Sequence, residues 1–253
     1  MKIARHVFLG ALLSGAVMGG MLAIPAVSFA QSDLTAVAQK ELKGKKFSHV
    51  QVSVQNGVAT LTGNVGMFYD SQDAEKRVAK VPGVSSVTNQ ITIEDGKPVS
   101  DADLQAKLGK QLVYFRVGYW SNMFNALTLN VQQGVVTVGG FVVNPADKNA
   151  AIALIVSERG VRGLVDHIEV GPPSPMDDGL RRRLAQAIYG AAQLNRYAID
   201  PAKPIRILVK SGHVILVGSV DSKADRDIAG IRANGVGGVF SVDNQLLVAG
   251  SVE

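Results

Sequence analysis

The chain has no cysteine. Disulfides therefore cannot brace it, and no thiol can act as a nucleophile, a metal ligand or a lipid attachment point. Aromatic residues are few: eight Phe, five Tyr and one Trp in 253 residues. Charge of one sign is also lacking, with 26 Lys and Arg against 21 Asp and Glu. Discounting Lys2 and Arg5 lowers the net charge from +5 to +3, too mild a balance for nucleic-acid binding. Beyond residue 30 no run is long and apolar enough to span a bilayer. Reaction chemistry is missing too. His49, His167 and His213 occupy unlike positions, and neither a Gly-x-Ser-x-Gly elbow nor a phosphate-binding glycine loop occurs. The sequence reads as non-enzymatic, with no cofactor and no metal.

The one long apolar stretch lies at the front. Lys2 and Arg5 precede Val7 to Val27, and Ser28-Phe29-Ala30 offers small residues for a cut before Gln31. That pattern is a secretory signal peptide over residues 1–30, cleaved after Ala30, which places the product in the periplasm. An uncleaved anchor is the alternative.

Beyond residue 30 the chain is organised around a hairpin. Val50, Val52 and Val54 alternate with polar residues, Asn56-Gly57 suits a two-residue type I′ turn, and Ala59 and Leu61 lead to Gly63. Pairing across the turn sets Val54 opposite Ala59, Val52 opposite Leu61 and Val50 opposite Gly63. The pattern returns around Gln133-Gly134 with exit Gly140, and around Ser211-Gly212 with exit Gly218. The turn glycines are 77 (134 − 57) and 78 (212 − 134) positions apart, the signature of a repeated unit.

In unit one a helical line from Leu34 to Leu42 precedes the hairpin. A second helix, capped at Asp70-Ser71 and stopped by Pro82-Gly83, leads to a third strand over 87–93. The other units repeat this order, behind polar and proline-rich linkers at 94–99 and 171–175. The expected fold is α+β: three tandem αββαβ domains over 31–97, 98–173 and 174–253. Each is a three-stranded sheet with two helices on one face. Seven unbroken apolar residues, Ala150 to Val156, predict a helix covered on two sides and hence contact with a neighbouring unit. Units this small, without a staple, need such support.

Two runs, Val54 through Val65 and Val81-Pro82-Gly83 through Asn89-Gln90-Ile91, resemble the hairpin and the exit of the BON domain. Unit two retains Gln133 to Gly140 and Gly160-Val161 through Asp166. Unit three retains Gly212, Val214, Gly218 and Gly238-Val239 through Asn244, with His213 where the others have valine. The resemblance covers nearly all of the chain after residue 30. It implies a non-catalytic envelope module, associated with phospholipid surfaces, partner proteins and osmotic stress.

Gly57, Gly134 and Gly212 read as turn residues, and Gly63, Gly140 and Gly218 as points of close helix–sheet approach. Asn89, Asp166 and Asn244 share parity with apolar strand positions, so spare backbone groups should satisfy them. Five aromatics, Tyr114, Phe115, Tyr119, Trp120 and Phe124, cluster in an insertion that unit one lacks. Either this insertion folds over its own core or it forms a contact surface. Arg181, Arg182 and Arg183 read either as a solvated helix face or, with those aromatics, as a salt-sensitive contact with anionic phospholipid. The functional expectation is peripheral attachment to such a membrane surface, with a protein–protein scaffold or chaperone-like adaptor as the alternative. Oligomeric state is left open.

Overall fold

The computed structural model describes residues 26–94, 96, 98–116, 120–200 and 204–250. Most of the expected leader, Tyr119 and the Trp120 side chain lie outside the described residues. Unit one runs α1 (Ala26–Glu41), a 3₁₀ turn (Lys45–Phe47), β1 (Val50–Gln55), β2 (Val58–Val65), α2 (Phe68–Val78), β3 (Ser86–Asn89) and β4 (Thr92–Ile93). Unit two runs α3 (Asp101–Val113), a 3₁₀ turn (Trp120–Phe124), β5 (Ala126–Gln132), β6 (Val135–Val142), α4 (Pro145–Val156) and β7 (Gly163–Val170). Unit three runs α5 (Pro175–Tyr189), the short α6 (Arg196–Ile199), β8 (Arg206–Lys210), β9 (His213–Val220), α7 (Lys223–Asn234) and β10 (Ser241–Val248). Helix α1 crosses the expected cleavage point after Ala30.

Each sheet has the second hairpin strand at its centre, antiparallel to the first and parallel to the third. Register repeats as well as topology. Val52 faces Leu61, Leu129 faces Val138 and Ile207 faces Leu216, each two residues before the exit glycine. The parallel pairs keep one offset of 28: Val58 with Ser86 (86 − 58), Val135 with Gly163 (163 − 135) and His213 with Ser241 (241 − 213). All three turns carry positive φ at both centres, for instance 51° at Asn56 and 78° at Gly57, as a type I′ turn requires.

Unit one departs from three strands. Its third strand is interrupted at Gln90 and Ile91, and the two pieces pair with β2 separately at the same offset. Gln90 N–H still donates to Leu61 O at 2.9 Å, so the break does not slip the register. A second departure concerns the exit glycines. Gly63 has φ 105°, and a Cβ there would sit 1.8 Å from the carbonyl oxygen of His49; at Gly140 the corresponding distance is 2.1 Å to Ala126 O, and at Gly218 2.5 Å to Pro204 O. The close approach is therefore strand to strand, at a kink in the ladder, and not helix to sheet.

Side-chain caps start α3, α4, α5 and α7, where Ser100, Asn144, Ser174 and Ser222 accept from the amides of Asp103, Asp147, Asp177 and Asp225. Helix α2 instead begins at Phe68 behind Met67, with no side-chain cap. Asp70 thus lies in its first turn and is free for another contact. Each of the three units has its own core. Phe68 of unit one packs against the core of unit two, and α2 touches α4. Ala150, Ile152 and Leu154 are half-buried beside the fully buried Ala151 and Ile155, which accounts for the long apolar run of α4.

Candidate functional site

Seven positions after each exit glycine stands an aspartate on the second helix: Asp70, Asp147 and Asp225. A basic side chain from the segment before the hairpin reaches each one. Lys46 Nζ lies 3.1 Å from Asp70, Arg116 Nε 2.6 Å from Asp147 and Arg196 Nη2 2.6 Å from Asp225. Asp147 is 1% exposed and also accepts from the amides of Asn125 and Asn144. Asp225 accepts from the Tyr197 and Ser222 hydroxyls. Buried carboxylates so surrounded hold the pre-hairpin segment against the second helix. The spacing from the exit glycines was readable in the sequence, although their basic partners follow no fixed spacing.

Side chains take up backbone groups along both edges of the sheets. Along the first strand of each unit, the first helix supplies the cover. Thr35 and Gln39 accept from Val54 and Val52, Gln105 accepts from Val131, and Arg181 Nη2 donates to Val209 O at 2.8 Å. Asp101 and Asp177 accept from the turn amides at 133–134 and 211–212. On the third strand, Asn89, Asp166 and Asn244 each accept from the amide two residues on. The Asn89 amide donates to Ser71 and Glu75, the Asn244 amide to Arg226 O, and Asp166 pairs with Lys148 at 2.7 Å. Edges treated in this way resist pairing with another chain.

Three expected site residues are therefore misplaced for a surface role. Arg181 is 3% exposed and also pairs with Asp178, because its long stem crosses the core side of α5 to reach the β8 edge. It is a strand-edge clamp, not a lipid contact. Phe115 is buried in the core of unit two, and Phe124, 1% exposed, is buried in the core of unit three. The aromatic insertion does not merely cover its own unit; it anchors the next one. Tyr114 is exposed, as are Arg182 and Arg183.

At that seam Arg206 Nη1 donates to the carbonyls of Asn122 and Asn125, at 2.9 and 2.8 Å, capping the 3₁₀ turn. Burial pushes the Arg206 guanidinium below its usual range, partly offset by Tyr189. Burial likewise raises the Tyr189 phenol well above its usual value, and its hydroxyl donates to Ile205 O. Lys210 of β8 pairs with Glu169 of β7 across the same seam. A cleft opens there between α3 and β5 on one side and β8 and β9 on the other.

The surface ion pairs set an acid limit. Burial alone would raise the Asp73 and Asp166 carboxyls. Lys46 and Arg77 on Asp73, and Lys148 with the Ile168 amide on Asp166, outweigh it and hold both below the ordinary 3.8. A folded-state value below the unfolded one stabilises fully above the unfolded value, and that stabilisation is lost as pH falls through the folded one. Urea midpoints should hold from about pH 7 to 5 and fall below about 4, and Asp166→Asn should remove part of that fall. A midpoint constant down to about pH 2 would contradict these pairings.

Among the described residues, no helix is long and apolar enough to cross a membrane, and no group of three or more His, Asp or Glu could hold a metal ion. The repeated hairpin, the constant parallel offset and the shared edge plugs define one module used three times. The BON domain family model matches residues 30–95, 100–172 and 181–250, and the chain belongs to that family. It is 26% identical over 202 residues to osmotically-inducible protein Y of Escherichia coli strain K12, across 79% of this chain and 96% of that protein. Among solved structures, it aligns with the C-terminal domain of CdsD, a structural protein of the type III secretion system of Chlamydia trachomatis. That alignment has 15% identity, covers 86% of this chain and 96% of the other, and has a TM-score of 0.24. A second CdsD structure aligns at 14% identity over 86% and 90%, with a TM-score of 0.25. Scores so low carry no argument about this chain.

Proposed function

We propose that the chain is a non-catalytic, exported envelope protein that attaches peripherally to anionic phospholipid through one end of its third unit. The leader, cleaved after Ala30, would deliver it to the periplasm, and its relative's name points to osmotic stress as the setting. One observation carries the reading: two large apolar side chains stand in solvent on elements that carry or meet the exposed arginines. Met176 is 83% exposed and Phe240 76% exposed. Arg183, on the same helix as Met176 and Arg182, donates to Gly237 O, which brings that helix against the loop leading to Phe240. Each basic group near an anionic leaflet contributes about 1 kcal/mol, so two arginines alone bind weakly and inserted apolar groups supply the second signal.

Flotation with phosphatidylglycerol vesicles at low salt tests this. The protein should float, and it should sink when salt is raised or when Arg182→Ala/Arg183→Ala or Phe240→Ala is introduced. Arg181→Ala should float normally once folded while losing about 2 kcal/mol of stability, since Val209 O loses its donor. Failure of the parent protein to float would leave the periplasmic adaptor as the reading.

A further inference from the structure

The cleft between units two and three has a volume of about 600 Å³, within the roughly 300–1,000 Å³ of small-molecule sites. Leu112, Val113, Leu127 and Leu129 make much of its wall apolar, and among the described residues Arg206 is the charged group lining it. Among the described residues no carboxylate pairs with Arg206. Its Nη1 donates to two backbone carbonyls, which satisfy hydrogen-bonding geometry but carry no net charge. A cation withdrawn from bulk water is thereby left without a counter-charge. The opposite wall has a second peculiarity. Helix α3 carries Gly109 at an interior position where a Cβ would meet nothing within 4 Å. Neither packing nor a left-handed backbone calls for glycine there, and alanine would make a better helix. The missing side chain leaves the cleft wider.

We propose that this cleft binds a small organic anion with an apolar body, its anionic head on Arg206 and its hydrocarbon along the wall formed by α3 and β5. The complement is chemical. An uncompensated guanidinium selects the sign of the head, and the leucine and valine side chains select a tail. The site shares no residue with the membrane contact proposed above, so the two readings stand or fall separately.

Calorimetric titration of the purified full chain with dodecanoate, below its micelle concentration, tests the proposal. Acetate serves as a head without a tail, and dodecyltrimethylammonium as the same tail with reversed charge. Dodecanoate should bind saturably at one site, acetate at least about a hundredfold more weakly, and the cationic amphiphile not at all. Gly109→Phe, which projects into the cleft without meeting any neighbour at Cβ, should weaken dodecanoate at least about tenfold at a melting temperature no lower than the parent's. Arg206→Met should abolish the preference for the anionic head. Gly109→Phe should still float on phosphatidylglycerol vesicles as the parent does, which separates a free amphiphile in the cleft from a lipid in a bilayer. No saturable binding, equal binding of the two amphiphiles, or a Gly109→Phe protein that binds like the parent would overturn the assignment.

Discussion

Gly140→Ala should unfold unit two, with a loss of at least about 4 kcal/mol. The added Cβ would lie 2.1 Å from Ala126 O, a backbone atom that cannot swing aside as a side-chain end could. The φ of 101° is closed to L-residues in any case. Relief would require β5 and β6 to part where Leu127 faces Gly140, breaking the ladder that centres the sheet. Gly109→Ala is the matched control. It meets nothing and removes a flexible position from a helix, so it should stabilise by about 0.5–1 kcal/mol. Urea unfolding of the two variants checks both signs at once. Equal midpoints would mean that the exit kink is not what requires glycine.

Asp147→Ala should cost about 3–5 kcal/mol, the loss typical of breaking a buried ion pair from one side. The side chain gathers Arg116, Asn125 and Asn144, and Asn125 in turn accepts from Val143 N–H. Removing the carboxylate leaves the buried Asn125 amide without that acceptor and releases the segment that carries Phe124 into unit three. Unit three should therefore be destabilised as well as unit two. Asp70→Ala, at the equivalent but more exposed position, should lose less than about 1 kcal/mol, because Lys46 keeps Asp73 at 2.8 Å. Hydrogen exchange that loosened only unit two in Asp147→Ala would contradict the coupling.

The hairpins, their register and the order of elements were legible because each depends on local chemistry: alternating valines, an Asn-Gly or similar turn, and a fixed period. Partner choice over long distances was not. Helical spacing puts Arg181 on the face of Leu184 and Ile188, three and seven residues on, and Arg182 off it, but no local signal names its partner. Only the placement of β8 gives its guanidinium a carbonyl to reach. Phe115 and Phe124 likewise belong to one aromatic cluster in sequence but to two different cores in space. The exit glycines stand out in sequence as constrained, but the constraint comes from the neighbouring strand, because a kinked ladder is invisible in one strand alone. The cleft could not have been anticipated, since its two walls come from different units and Gly109 looks like an ordinary defect of α3.

The chain carries three copies of one module, the last two fused at a seam formed by Phe124 and Arg206. Hydrogen-exchange mass spectrometry across a urea series tests that most directly. Amides of β6 and β9, the central strands of units two and three, should open with one common free energy in the parent protein and with two distinct ones in Phe124→Ala. Independent opening of the two strands in the parent, or a Phe124→Ala protein indistinguishable from it, would contradict the fusion.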